Sequence, residues 1–179
     1  DKISPDTLYQ ILRQTIRVHR AEMSAAKANQ QLRESEERYR LVLEAANDGI
    51  WDWYCTTDEV YCNDRLLEII GLSREEFIPS PAAFTDLMHP EDLPRIRAAI
   101  NAHLTSGSKC EVEFRMLHVS GEYRYCLGRG KAQRDRNGCP YRMSGVLSDI
   151  TMRKHSEAEI VKLNLDLSQR IDELEKLLD

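Results

Sequence analysis

Residues 6–46 contain neither glycine nor proline, and a run of that length rich in Ala, Gln, Glu, Arg and Leu favours one regular backbone state. With Ser4-Pro5-Asp6 as its start signal, the run predicts a single α-helix. At ~1.5 Å per residue this helix extends for roughly 60 Å, too far to fold back onto a domain this small. Its apolar spacing is ambiguous. Leu8, Ile11, Thr15, Val18, Glu22, Ala25, Asn29, Leu32, Glu36, Tyr39 and Leu43 compete with a second register through Leu12, Ile16, His19, Met23 and Ala26, so a loose or stuttering coiled coil is expected.

Residues 151–179 are again free of Gly and Pro, and here one heptad is clean: Ile160, Leu167 and Leu174 at d, Asn164, Ile171 and Leu178 at a. A lone Asn at a costs stability but selects a two-stranded parallel pairing, with Arg170 at g in reach of Glu175 at e of a partner. A parallel homodimer is therefore expected, the alternative being that the stripe packs on the chain's own sheet.

The middle segment, 47–150, differs in kind. Gly, Pro, Trp, Tyr and Cys concentrate there and the apolar spacing shortens toward two. Residues 49–55 and 59–62 read as a hairpin around Thr56-Thr57-Asp58. Arg65 to Ile70 is a short helix stopped by Gly71, and Ser73 with Glu76 forms a capping box for a further turn. A short helix from Ala82 to Met88 precedes a longer one, opened by His89-Pro90-Glu91-Asp92 and running to about Leu104, with Pro and acids in its first turn. Lys109–His118, Glu122–Arg134 and Pro140–Ile150 are three strands of an antiparallel meander turning at Ser120-Gly121 and Asn137-Gly138. The chain thus divides into 1–46, 47–150 and 151–179, with an α+β domain between two helices: five strands in one sheet, helices on one face.

Composition excludes several classes of function. Lys+Arg 25 against Asp+Glu 30 gives a net charge of −5 with basic residues scattered among acids, which leaves no nucleic-acid footprint. No apolar run reaches the ~18 residues of a membrane span, and no signal peptide opens the chain, so a cytoplasmic segment without membrane contact is expected. Asp1 in place of Met reads as a piece of a longer protein. The five cysteines, Cys55, Cys62, Cys110, Cys126 and Cys139, show no C-x-x-C and no zinc-spaced His, and read as reduced thiols. No nucleophile–base pair, G-x-S-x-G or phosphate loop is present, so the fragment does not read as an enzyme; Gly128-Arg129-Gly130 inside a strand marks a bend. Glu111, Glu113 and Arg115 share a strand face as a solvated or linker-facing charge ladder. Alternation on that strand puts Cys110, Val112, Phe114 and Met116 on the other face. With Trp51, Trp53 and Tyr61 these residues are the expected walls of a pocket for a small organic ligand, or else simply fill the core.

Taken in order, Ser35-Glu36-Glu37-Arg38-Tyr39-Arg40, Asp48-Gly49-Ile50-Trp51-Asp52-Trp53, the Asn63, Leu67, Gly71 set, His89-Pro90-Glu91-Asp92, Glu113-x-Arg115, Gly121-Glu122-Tyr123-Arg124 and Asp149-Ile150-Thr151 make the region 35–155 resemble a PAS domain with a C-terminal PAC segment, as in bacterial sensor kinases and cyclic-di-GMP enzymes. The resemblance implies a sensory and dimerisation module. In it, Asp149, Ile150 and Thr151 relay a shift of the sheet to the exit helix, with Thr151 as its N-cap and Asp149 accepting from nearby backbone or from the Trp51 region. Residues 172–179 resemble helices that lead into a second PAS domain, a histidine kinase or a diguanylate cyclase. The chain departs from the family at Tyr125, where Trp is usual, and at Cys62, Cys110 and Cys126, which implies a softer, slightly more polar pocket. The reactive-cysteine motif of light-sensing relatives is absent. A haem would need His103, which reads instead as a helix C-terminal residue, and a flavin would have to bind without a covalent bond; the expectation is no cofactor. A ligand-free spacer between other domains and a haem- or flavin-bearing sensor are the competing readings.

Overall fold

The computed structural model describes residues 5–178, and the chain divides into two compact units, 1–46 and 47–179. In the first unit, helix α1 spans Pro5–Ala46, 42 residues without a break. Its described side chains are exposed almost throughout, including Tyr9, Ile16, Met23, Leu32 and Tyr39.

The second unit holds a five-stranded antiparallel sheet in the order β2-β1-β5-β4-β3. Its strands are β1 (Gly49–Tyr54), β2 (Glu59–Cys62), β3 (Cys110–Leu117), β4 (Tyr123–Arg134) and β5 (Pro140–Asp149). Between β2 and β3 come the helices α2 (Asp64–Ile70), α3 (Pro81–Leu87) and α4 (Leu93–Ser106), and α5 (Thr151–Leu178) follows β5. The α+β reading and the five strands are as the sequence predicts. The core forms where Leu66, Leu67, Ile69 and Ile70 of α2, Phe77, and Ile96 of α4 meet Cys62, Phe114, Met116, Cys126 and Leu147 of the sheet.

Asn63 explains why α2 starts where it does. Its Oδ1 accepts from Leu66 N at 3.0 Å as an N-cap and from Ile50 N at 2.8 Å, fastening the helix to β1. Gly71 ends the helix at φ 77, and a Cβ there would also strike the His118 ring.

Several local expectations are corrected. Both meander turns are three-residue loops rather than tight two-residue ones: His118 N bonds Glu122 O, Asp135 N bonds Cys139 O, and Gly121 and Gly138 take positive φ at the third loop position. Arg134 consequently pairs with Pro140. At Ser73 only half of the capping box forms. The Glu76 carboxylate accepts from Ser73 N and from its hydroxyl, and the segment is a turn, not a helix. Helix α4 begins at Leu93, after the His-Pro-Glu-Asp segment, and Asp92 at its N-cap makes no cap bond because its carboxylate is taken by Arg115. The domain's own helices keep to one face as expected: α2 to α4 cover the side of Phe114, whereas the flanking helix α5 begins against Glu113, on the opposite side of β3.

Candidate functional site: an apolar cavity and the exit junction

Between the inner sheet face and helices α2 to α4 lies a half-open cavity of about 210 Å³. Trp51, Trp53 and Val60 line it from β1 and β2, and Phe114 and Met116 from β3. Leu66, Phe84, Thr85, Ile96, Arg97 and Ile100 are among the helical residues opposite. The Thr85 hydroxyl is already spent on Pro81 O at 2.7 Å, so the wall is almost wholly apolar.

Trp51 owes its place to two glycines. Gly130 and Gly145 face each other across β4 and β5, and a Cβ on either would lie 2.6 or 2.4 Å from the indole ring. Gly130 therefore marks not a bend but a seat for a large ring. Trp53 is held at its outer end, its Nε1–H donating to Asp58 Oδ1 at 3.1 Å.

Of the expected wall residues, Trp51, Trp53, Phe114 and Met116 line the cavity. Val112 packs against the core cluster beside it. Tyr61 does not belong to the wall. Strand alternation turns Val60 and Cys62 inward and leaves Tyr61 58% exposed, with the Arg74 guanidinium 5.9 Å from its ring centre. The expected softening of the pocket is also absent. Cys62, Cys110 and Cys126 are buried but none lines the cavity, and Tyr125 points to the other face. Burial raises the Cys62 and Cys110 thiols and pushes Cys126 up to about 12. His103 is buried between α4 and β4: Nε2 accepts from Ala132 N at 2.8 Å and Nδ1 bonds Ser108 O. Both nitrogens are committed, so the ring is a structural pin and not an open ligand position. No group of three or more His, Cys, Asp or Glu among the described residues is placed to hold a metal ion.

The residues expected to form a relay meet at one residue of β4, Tyr125. Ile150 N donates to Tyr125 O at 2.8 Å, and Tyr125 N donates to Thr151 Oγ1 at 3.0 Å. Thr151 is thus the first helical residue, with its hydroxyl engaged by the sheet; Ile150, whose O accepts from Lys154 N at 2.9 Å, holds the N-cap position, and the side-chain bond at this terminus comes from Asp149, whose Oδ1 accepts from Thr151 N at 2.9 Å. Asp149 has no bond to the Trp51 region. Its other oxygen lies 3.6 Å from Arg124, which donates to Ile69 O at 3.0 Å and so joins the end of α2 to the exit junction.

Beside this junction, Glu113 of β3 reaches both Arg153 and Lys154 of α5 at 2.6 Å. The Lys154 bond is foremost in holding the Glu113 carboxyl below its usual range. Two residues along, Arg115 grips Asp92 through Nε at 3.0 Å and backbone N at 2.8 Å. This pairing draws the nearly buried Asp92 carboxyl down to about 2. The segment before α4 also runs along the β3 edge, with Met88 bridged to Met116 and His89 N bonded to Arg115 O.

On α5 the heptad residues Ile160, Leu167, Ile171 and Leu174 are 47–60% exposed, so the stripe does not pack on the chain's own sheet. Arg170 pairs within the helix with Asp166 at 3.1 Å, and the side chains of Glu175 and Leu178 lie outside the described ones.

Comparison with known proteins agrees with this geometry. The family model described as "PAS fold" matches residues 59–147. A sensory box histidine kinase/response regulator from Burkholderia thailandensis is 33% identical with a TM-score of 0.64, over 74% of this chain and 98% of that structure. The chain belongs to the PAS family. Two curated PAS-matching relatives are a methyl sulfide methyltransferase-associated sensor from Methanosarcina acetivorans, 34% identical over 53% of this chain, and a blue-light-activated histidine kinase from Brucella anthropi, 26% identical over 76%. The matches span only 10% and 27% of those proteins. Within the PAS frame the short motifs acquire physical roles: His-Pro-Glu-Asp supplies the partner of Arg115, and Glu-x-Arg places one residue on the exit helix and the other on the start of α4. Helix periodicity would have found one residue that the sequence reading missed. Leu93, Ile96, Arg97 and Ile100 stand at i, i+3, i+4 and i+7, which puts a charge on the inward stripe. Arg124 carried no such signal.

Proposed function

We propose that this chain is a sensory and dimerisation module in which a change in the cavity is passed through β3 to α5, and from there to an output domain such as a histidine kinase or a diguanylate cyclase. The observation that carries the reading is the alternation of β3: Phe114 and Met116 line the cavity, while Glu113 between Val112 and Phe114 holds the first turn of α5. The matched relatives named as sensors and a histidine kinase support a signalling role. The exposed heptad stripe supports a parallel homodimer, and no described helix is long and apolar enough to cross a membrane, in keeping with a cytoplasmic module.

A flavin would have to sit in this pocket without a covalent bond, since no cysteine stands in its wall. A ligand-free spacer is the second reading, favoured by the stripe alone, which needs no tenant.

The test is a melting-temperature screen of the purified protein against small organic compounds, followed by hydrogen exchange with any stabilising compound. The sensory reading expects changed exchange at residues 149–158. Dimerisation with no compound raising the melting temperature would establish the spacer.

A further inference from the structure

We propose that the cavity selects a compact apolar monoanion, and that Arg97 is the residue that recognises its carboxylate. This rests on reading the cavity as a ligand site. The walls supplied by Trp51, Phe84, Ile96 and Ile100 offer nothing to a polar ligand body, and no acidic side chain lines the space. Among the described residues Arg97 is the only charged one that lines the space, and it is exposed, which places it at the mouth. Among the described residues it makes no hydrogen bond and no ion pair, whereas the neighbouring Arg95 leans on Asp92 and Arg115 is held by Asp92 and Glu91. A guanidinium on an inward helical stripe, next to an apolar hole and without a protein carboxylate, has its donor fork free for a planar anion. Volume sets the body. About 210 Å³ takes on the order of seven to ten non-hydrogen atoms, the size of one aromatic ring or a short aliphatic chain bearing a carboxylate.

The experiment is isothermal titration of the full chain with benzoate, phenylacetate and hexanoate, each beside its neutral amide. The expected result is at least tenfold tighter binding of the acids, weakening as salt rises because the arginine is exposed. Arg97→Met should reduce the acids to the affinity of the amides, and it should leave the unliganded melting temperature unchanged. Ile100→Phe, which fills the hole, should abolish both. Equal binding of acids and amides would overturn the proposal while keeping the cavity as a site. No binding of either would overturn the ligand-site reading itself. Acid binding that survives both substitutions would place the anion elsewhere and overturn the assignment to Arg97.

Discussion

Asp92 shows how much of this fold rests on single side chains whose partners are remote in sequence. Its carboxylate meets Arg115 23 residues on and is drawn down from its ordinary value to about 2. A carboxyl lowered on folding stabilises the folded state above its unfolded pKa, and that contribution is lost as pH falls through the folded value. Thermal melts should therefore show stability declining between about pH 4 and pH 2, and Asp92→Asn should flatten that decline. The substitution should also cost about 1–3 kcal/mol in urea unfolding, since Arg115 loses its main acceptor. The cysteines give a second prediction at this scale. Thiol titration of the native protein should modify Cys139 first, with Cys62, Cys110 and Cys126 reacting only on unfolding, because they are buried and their thiols are held protonated. Titration after denaturation without reductant should count five. Of these residue-scale facts the sequence showed little: composition argues for free thiols, but neither the Asp92–Arg115 pair nor the seat of Trp51 over Gly130 and Gly145 has a local signature. Both depend on strand register.

Elements were far more legible. The absence of Gly and Pro over 6–46 and from 151 onward marked α1 and α5, and the turn residues marked the strands, because both signals act within a few residues of backbone. What failed was capping. Asp92 and Ser73 look like helix starters, yet their side-chain oxygens were claimed from elsewhere, by Arg115 and by Glu76. At the start of α5 the sequence read Thr151 as the cap, whereas Asp149 Oδ1 accepts from Thr151 N and the Thr151 hydroxyl ties the helix to Tyr125. Asp149→Ala should therefore leave the sheet folded, cost about 0.5–2 kcal/mol and fray the first turn of α5, seen as faster hydrogen exchange at residues 151–154. In a longer parent protein it should disturb output more than folding, and equal output at matched expression would reduce Asp149 to a cap.

For the whole molecule, the exposed stripe of α5 is the feature with the largest consequence for assembly. Asn164 at an a position favours two parallel strands over other pairings, so sedimentation at tens of micromolar should show dimer, and a monomer alone would remove the main support for that arrangement. Asn164→Leu should tighten association while broadening the range of oligomers. The sequence carried the stripe, but it could not carry the cavity, part of whose wall comes from α2 and α3, helices too short to show a clear periodicity. The alternation of β3 reaches further, into how such modules diversify. Even-numbered positions 114 and 116 shape the hole; odd-numbered positions 113 and 115 grip α5 and the start of α4. Because successive side chains of a strand point to opposite faces, the two sets form separate alphabets written on one backbone, and substitutions that re-tune the hole leave the grip unaltered. A lineage can change what such a strand senses without relearning how it speaks to the helix.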